Sequence, residues 1–105
     1  MIEFQHLSVQ QYHQLCSSKQ ATVLDIRDVA SFASGHMDDA LHIESLPLAA
    51  FIAQQDKNQA LVICCYHGNS SQQAAAYFVE QGFTEVYSLD GGYEAWAEYK
   101  TSTQP

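Results

Sequence analysis

Basic side chains are scarce in this 105-residue chain: four Lys and Arg stand against twelve Asp and Glu, giving a net charge of −8. The four, Lys19, Arg27, Lys57 and Lys100, are scattered rather than clustered. A chain without a basic patch lacks the electrostatic footprint of a nucleic-acid binder or of a protein held on anionic lipid, so neither partner is expected. Long apolar runs are missing too. No stretch approaches the roughly 18 residues of a membrane span, and the opening MIEFQHLSV has neither the charged nor the apolar region of a signal peptide, so a soluble, cytoplasmic protein is expected. Cysteine is limited to Cys16, Cys64 and Cys65, an odd set with two adjacent members, which excludes a disulfide framework. There is no C-x-x-C pair, and His6, His13, His36, His42 and His67 show no ligand spacing on one helix. No metal site and no cofactor are therefore expected.

What is present fits one globular core. Hydrophobic residues make up 47% of the chain and charged residues 15%, which excludes a disordered or coiled-coil chain, and the length suits a single domain over residues 1–105. The polar end, 101–105, is expected to fray as a flexible tail. Ser8 can cap a helix on which Val9, Tyr12 and Cys16 share a face, making Cys16 an expected core thiol. ATVLD (21–25) reads as a short strand, Asp28 caps a short helix that Gly35 stops, and 41–43 reads as a weak strand. Pro47 suits the first turn of a helix carrying Leu48, Phe51 and Ile52. ALVIC (60–64) is apolar throughout, as a strand buried on both faces of a parallel sheet must be. A helix over about 71–81 follows with Ala74, Ala75, Phe78 and Val79 inward, then a strand over 86–89. Gly91 and Gly92 turn the chain into a last helix carrying Tyr93, Trp96 and Tyr99. Strands alternating with helices at this spacing define an α/β domain with a parallel sheet, in which ligands bind beyond the carboxyl ends of the strands.

Cys65 lies at one such end. It opens the run Cys65, Tyr66, His67, Gly68, Asn69, Ser70, Ser71, which leads from a strand into a helix N-terminus. Unpaired amides of such a loop, together with the helix dipole, favour an anion and therefore a reactive thiolate. Gly68 permits backbone angles strained for other residues, and Asn69 or Ser70 can cap the helix. Cys64, one residue earlier, points to the opposite face of the strand and belongs to the core.

Three separated segments then carry a resemblance: VLDIRDVASFASGHMDDALHI (23–43), CYHGNSSQQAA (65–75) and LDGGYEAW (89–96). Together they are similar to the rhodanese family, and more closely to its single-domain GlpE type. That resemblance implies a rhodanese-like domain with a five-stranded parallel sheet, order 3-2-4-5-1, flanked by helices. It also implies a thiosulfate:cyanide sulfurtransferase in which Cys65 is the nucleophile and carries sulfur as a persulfide. Tyr66, His67, Gly68, Asn69 and Ser70 would form the substrate-binding loop. The implied partners are thiosulfate or another sulfane sulfur donor, and cyanide, a small thiol or a thioredoxin-like protein as acceptor. Arg27, in the D-x-R pattern of Asp25 and Arg27, reads as a loop anchor rather than a substrate contact. His36 reads as structural and Trp96 as core, while the His67 side chain either points outward or shifts the charge near Cys65. The related phosphatases need an arginine at the end of a longer loop. The six residues Cys65 to Ser70 contain none, which disfavours phosphoryl transfer. The alternative function is a non-catalytic persulfide carrier or sulfur-relay binding module.

Overall fold

The computed structural model describes residues 3–103. In chain order the elements are β1 (Gln5–Leu7), α1 (Val9–Ser18), β2 (Ala21–Asp25), α2 (Val29–Ser34) and β3 (Leu41–His42). After a 3-10 turn (Ile43–Ser45) come α3 (Leu48–Gln54), β4 (Ala60–Cys64), α4 (Ser70–Glu80), β5 (Val86–Leu89) and α5 (Gly92–Thr103). All pairings are parallel, and the sheet order β1-β5-β4-β2-β3 is the expected 3-2-4-5-1 read from the other edge.

β4 organises the core because every one of its residues is buried and successive side chains enter opposite layers. Val62 and Cys64 join Leu7, Val9, Val23, Met37, Leu89 and Trp96 on the face covered by α1 and α5. Leu61 and Ile63 join Leu24, Ala75, Phe78, Phe83 and Val86 on the other face, where Leu48, Phe51 and Ile52 of α3 close the layer. Leu24, Leu61, Ile63 and Phe78 are each at most 1% exposed; burial of one such side chain is worth about 1.5–3 kcal/mol. β2 lies directly beside β4, with Asp25 opposite Cys64, so the ends of these central strands stand together where the winding of the chain reverses.

Two of the capping signals act as read. Ser8 forms a full capping box with Gln11, and the Asp28 carboxylate accepts from the Ser31 amide at 3.1 Å. Two expectations differ. Cys16 is exposed, not a core thiol: Val9, Tyr12 and Leu15 pack inward, but the last turn of α1, from Cys16 to Ser18, runs past anything that could cover it. The chain end is helical through Thr103, and the remainder of the expected tail, 104–105, lies outside the described residues.

Candidate active site

The Cys65 thiol ends up in a basket of donors although the residue is only 4% exposed. Its Sγ accepts the amide of Gly68 at 3.1 Å and that of Ser71 at 3.3 Å. Asn69 is the N-cap of α4 but makes no side-chain cap hydrogen bond. The sulfur does that work: an orphan amide in the first turn of α4 is satisfied by Cys65 rather than by a capping oxygen. Burial by itself raises the Cys65 pKa. Hydrogen bonds from the Ser71 hydroxyl and from the amides of Ser71, Gly68 and His67 outweigh that and leave the thiol below its ordinary value. The adjacent Cys64 is fully buried, and burial, with Asp25 close by, pushes its thiol up to about 12. Of the two neighbours, Cys65 is the one whose environment favours a thiolate.

The loop amides point inward because the loop carbonyls are held outward. The first turn of α5 supplies two donors: the Tyr93 amide reaches the Cys65 carbonyl at 2.7 Å, and the Glu94 amide reaches the Tyr66 carbonyl at 3.2 Å. Two glycines allow this seam to close. Gly68 has φ of +90°, and a Cβ there would lie 2.8 Å from the Gly91 nitrogen. Gly92 has φ of +59°, and a Cβ there would lie 2.4 Å from the Cys65 carbonyl oxygen. Both positions combine a left-handed backbone with an approach that no side chain can share.

The structure brings all the expected loop residues together, but through backbone more than side chains. Tyr66 is 44% exposed; its hydroxyl donates to the Asp28 carboxylate and lies 2.6 Å from the Ser31 hydroxyl, tying the loop to the start of α2. His67 turns outward, with Nδ1 3.1 Å from a Glu94 carboxylate oxygen. Gly68 is buried, and its carbonyl accepts from the Gln72 side chain at 2.9 Å; Asn69 and Ser70 are exposed. Arg27 is an anchor. Its Nη2 donates to Asp25 at 2.8 Å and to the Gly35 carbonyl at 2.6 Å, and its guanidinium lies 4.1 Å from the centre of the Tyr93 ring. His36 Nδ1 lies 2.8 Å from the Phe32 carbonyl, and Trp96 is 8% exposed in the core.

Ser71 is the site residue that the sequence pattern did not single out. It lies one position beyond the loop, its amide reaches Cys65 Sγ at 3.3 Å, and its hydroxyl helps to lower the Cys65 pKa. A serine in the first turn of a helix reads as a capping residue, and only its place six residues after the cysteine hints at more. Among the described residues no group of three or more His, Cys, Asp or Glu is arranged to hold a metal ion.

A buried thiol ringed by amides at the carboxyl end of a central parallel strand is the arrangement the sequence resemblance implied. Residues 8–99 match the family profile of the Rhodanese-like domain, and the chain belongs to the rhodanese family. It is 52% identical over 98 residues to the thiosulfate sulfurtransferase GlpE of Shewanella oneidensis, covering 93% of this chain and 97% of that protein. The GlpE thiosulfate sulfurtransferase of Pseudomonas aeruginosa is 54% identical over 93 residues, covering 89% and 84% respectively. Among solved structures, a human single-domain sulfurtransferase superposes with a TM-score of 0.74 at 27% identity, over 89% of this chain and 95% of that one.

Proposed function

We propose that this chain is a single-domain thiosulfate sulfurtransferase that holds sulfane sulfur as a persulfide on Cys65. The observation that carries the reading is the pair of amide contacts to Cys65 Sγ, at 3.1 Å from Gly68 and 3.3 Å from Ser71, in a loop whose carbonyls are turned away. The names of the GlpE relatives support thiosulfate as donor.

The chemistry follows from this geometry. The Cys65 thiolate attacks the outer sulfur of thiosulfate; a new S–S bond forms, the old one breaks, and sulfite leaves with the electron pair. The persulfide then carries its negative charge on the terminal sulfur, one bond beyond Sγ, in a loop whose amides favour an anion. An acceptor nucleophile, whether cyanide, a small thiol or a thioredoxin-like protein thiol, attacks that terminal sulfur, and the electron pair returns to Sγ as the thiolate leaves. No proton need be moved by a side chain, which fits a loop without a general base.

Intact-mass measurement tests the assignment. Protein stripped with cyanide and then treated with thiosulfate should gain one sulfur atom, which a second cyanide addition removes as thiocyanate. Cys65→Ser should abolish both steps, while Cys64→Ser should keep them with altered stability. Equal loss in two folded variants would reject Cys65 as the carrier, and a persulfide that forms but resists every acceptor would favour the sulfur-carrier reading over turnover.

A further inference from the structure

Beneath the loop, two serine hydroxyls meet out of reach of solvent. Ser71 Oγ and Ser88 Oγ lie 2.7 Å apart, and both residues are 0% exposed. Ser88 belongs to β5, where it pairs with Ile63 of β4, two residues before Cys65. Among the described residues the Ser88 hydroxyl has one side-chain partner, Ser71.

That single partnership determines where the protons point. A hydroxyl carries one proton and two lone pairs, whereas a thiolate only accepts. If Ser71 gave its proton to Ser88, the Ser88 proton would be buried with no acceptor, a cost comparable to a lost hydrogen bond. If instead Ser88 donates to Ser71, the Ser71 proton is free to reach Cys65 Sγ, beside the Ser71 amide already 3.3 Å from that sulfur. Of the two serines it is Ser71 whose backbone already touches the sulfur, so only the second arrangement turns a hydroxyl proton toward Cys65, in keeping with the lowered pKa of its thiol. We propose that Ser88 is a positioning residue: its buried hydroxyl fixes the Ser71 O–H on Cys65 Sγ.

The chain of hydroxyls acts on the two half-reactions with opposite sign. It is strongest when Sγ bears the charge, as in the free thiolate and in the transition state that discharges the persulfide. It is weaker in the persulfide, whose charge sits on the terminal sulfur. Only an interaction that differs between ground and transition state changes a rate. Ser88 therefore favours departure of the Cys65 thiolate and tempers its attack on the donor.

The inference rests on the sulfur-carrying role of Cys65, and the test separates the two. The full chain is stripped with cyanide, and Cys65 alkylation by iodoacetamide is followed against pH by peptide-resolved mass spectrometry, because the exposed Cys16 is alkylated too. Single-turnover loading by thiosulfate and discharge by cyanide are then measured above the alkylation midpoint. Ser88→Ala should raise the midpoint by about half to one pH unit and lower the ratio of discharge rate to loading rate by about three- to tenfold. Ser88→Thr, which keeps a hydroxyl, should restore both toward the unmodified values. Because Ser88 acts through Ser71, the double variant Ser71→Ala/Ser88→Ala should move the midpoint no further than Ser71→Ala alone. An unmoved midpoint, additive shifts, or two half-reactions that fall in equal proportion would overturn the role of Ser88. Failure of the unmodified protein to take sulfur on Cys65 would instead remove the reading beneath it.

Discussion

Gly92→Ala should damage the Cys65 loop from 27 residues away in sequence, and its effect can be worked out from two contacts. Gly92 has φ of +59°, a conformation that costs an L side chain roughly 1–2 kcal/mol. The added Cβ would lie 2.4 Å from the Cys65 carbonyl oxygen and 2.6 Å from the Tyr66 carbonyl carbon and oxygen. These are backbone atoms, so no side chain can swing aside, and the loop and α5 must separate. Separation lengthens the bonds from the Tyr93 amide to Cys65 (2.7 Å) and from the Glu94 amide to Tyr66 (3.2 Å), each worth about 0.5–1.5 kcal/mol net. Together the terms give a stability loss of about 2–5 kcal/mol. Once the carbonyls are released the loop peptides can rotate, and the amides lose their aim at Sγ. A misplacement of about 1 Å at a reacting group can cost roughly a hundredfold in rate. Gly82→Ala is the control: Gly82 has φ of +104° but no atom within 4 Å of a built Cβ, so it carries strain without the clash. Urea unfolding should show a loss in both variants. Only Gly92→Ala should also raise the pH midpoint of Cys65 alkylation and slow sulfur loading at least tenfold. A Gly92→Ala protein with normal loading and midpoint would refute the view that α5 holds the loop amides inward.

Two further perturbations follow from the strand ends. Cys64 stays protonated in the folded protein up to about 12, whereas a free thiol ionises near 8.5, so the unfolded state binds fewer protons between these values and stability must fall as pH rises. At about pH 10 the loss attributable to Cys64 is roughly 2 kcal/mol, and Cys64→Val should flatten the alkaline decline seen by urea unfolding; an unchanged slope would show that the buried thiol is not its source. Arg27→Ala leaves the fully buried Asp25 carboxylate without its partner and should cost about 3–5 kcal/mol, with Arg27→Lys recovering part of it. A loss below about 1 kcal/mol in Arg27→Ala, measured the same way, would mean that the pair is solvated rather than buried.

What could be read from the sequence was what neighbouring residues encode. ALVIC announced a strand buried on both faces, and the loop after it combined a turn-permitting glycine with a helix start, so Cys65 could be located before any fold was known. The 3.6-residue period likewise put Ala75 and Phe78 inward, whereas the D-x-R pattern of Asp25 and Arg27 was read through the family resemblance. The order of the five strands came with the family resemblance instead. β1 escaped the residue-level reading because it is three residues long with only Leu7 buried, and it is a strand through its pairing with β5 at the far end of the chain. Cys16 failed for a related reason: periodicity gives the direction of a side chain, not whether anything lies there to cover it. The partners that shape the site, Ser88 for Ser71, Asp28 for Tyr66 and Glu94 for His67, come from other elements at separations of 17, 38 and 27 residues, so no local spacing could reveal them.

The most direct consequence of those pairings is weak binding of thiosulfate, and it follows from where the cations are. Arg27 is committed to Asp25 and the Gly35 carbonyl, Lys19 to Glu85, and Lys57 to the carbonyls of Ile52 and Gln55; Lys100 lies beside Asp38 and Trp96. The one titratable group in the loop that could turn positive, His67, faces a carboxylate of Glu94. A dianion at the Cys65 loop therefore meets amides and hydroxyls, and a charge-assisted hydrogen bond is roughly twice as strong as the neutral ones available. The net charge of −8 adds long-range repulsion, which salt screens over a Debye length of about 10 Å at 0.1 M. The apparent KM for thiosulfate should accordingly be about a millimolar or weaker. Added salt at low thiosulfate should speed loading or leave it unchanged. Ser70→Lys, at an exposed position in the first turn of α4, should lower KM by supplying the missing cation. A micromolar KM in the unmodified protein, with loading that slows as salt rises, would require a cation serving the loop, and Arg27, whose guanidinium lies 5.8 Å from the Tyr66 ring, is already committed to Asp25 and the Gly35 carbonyl.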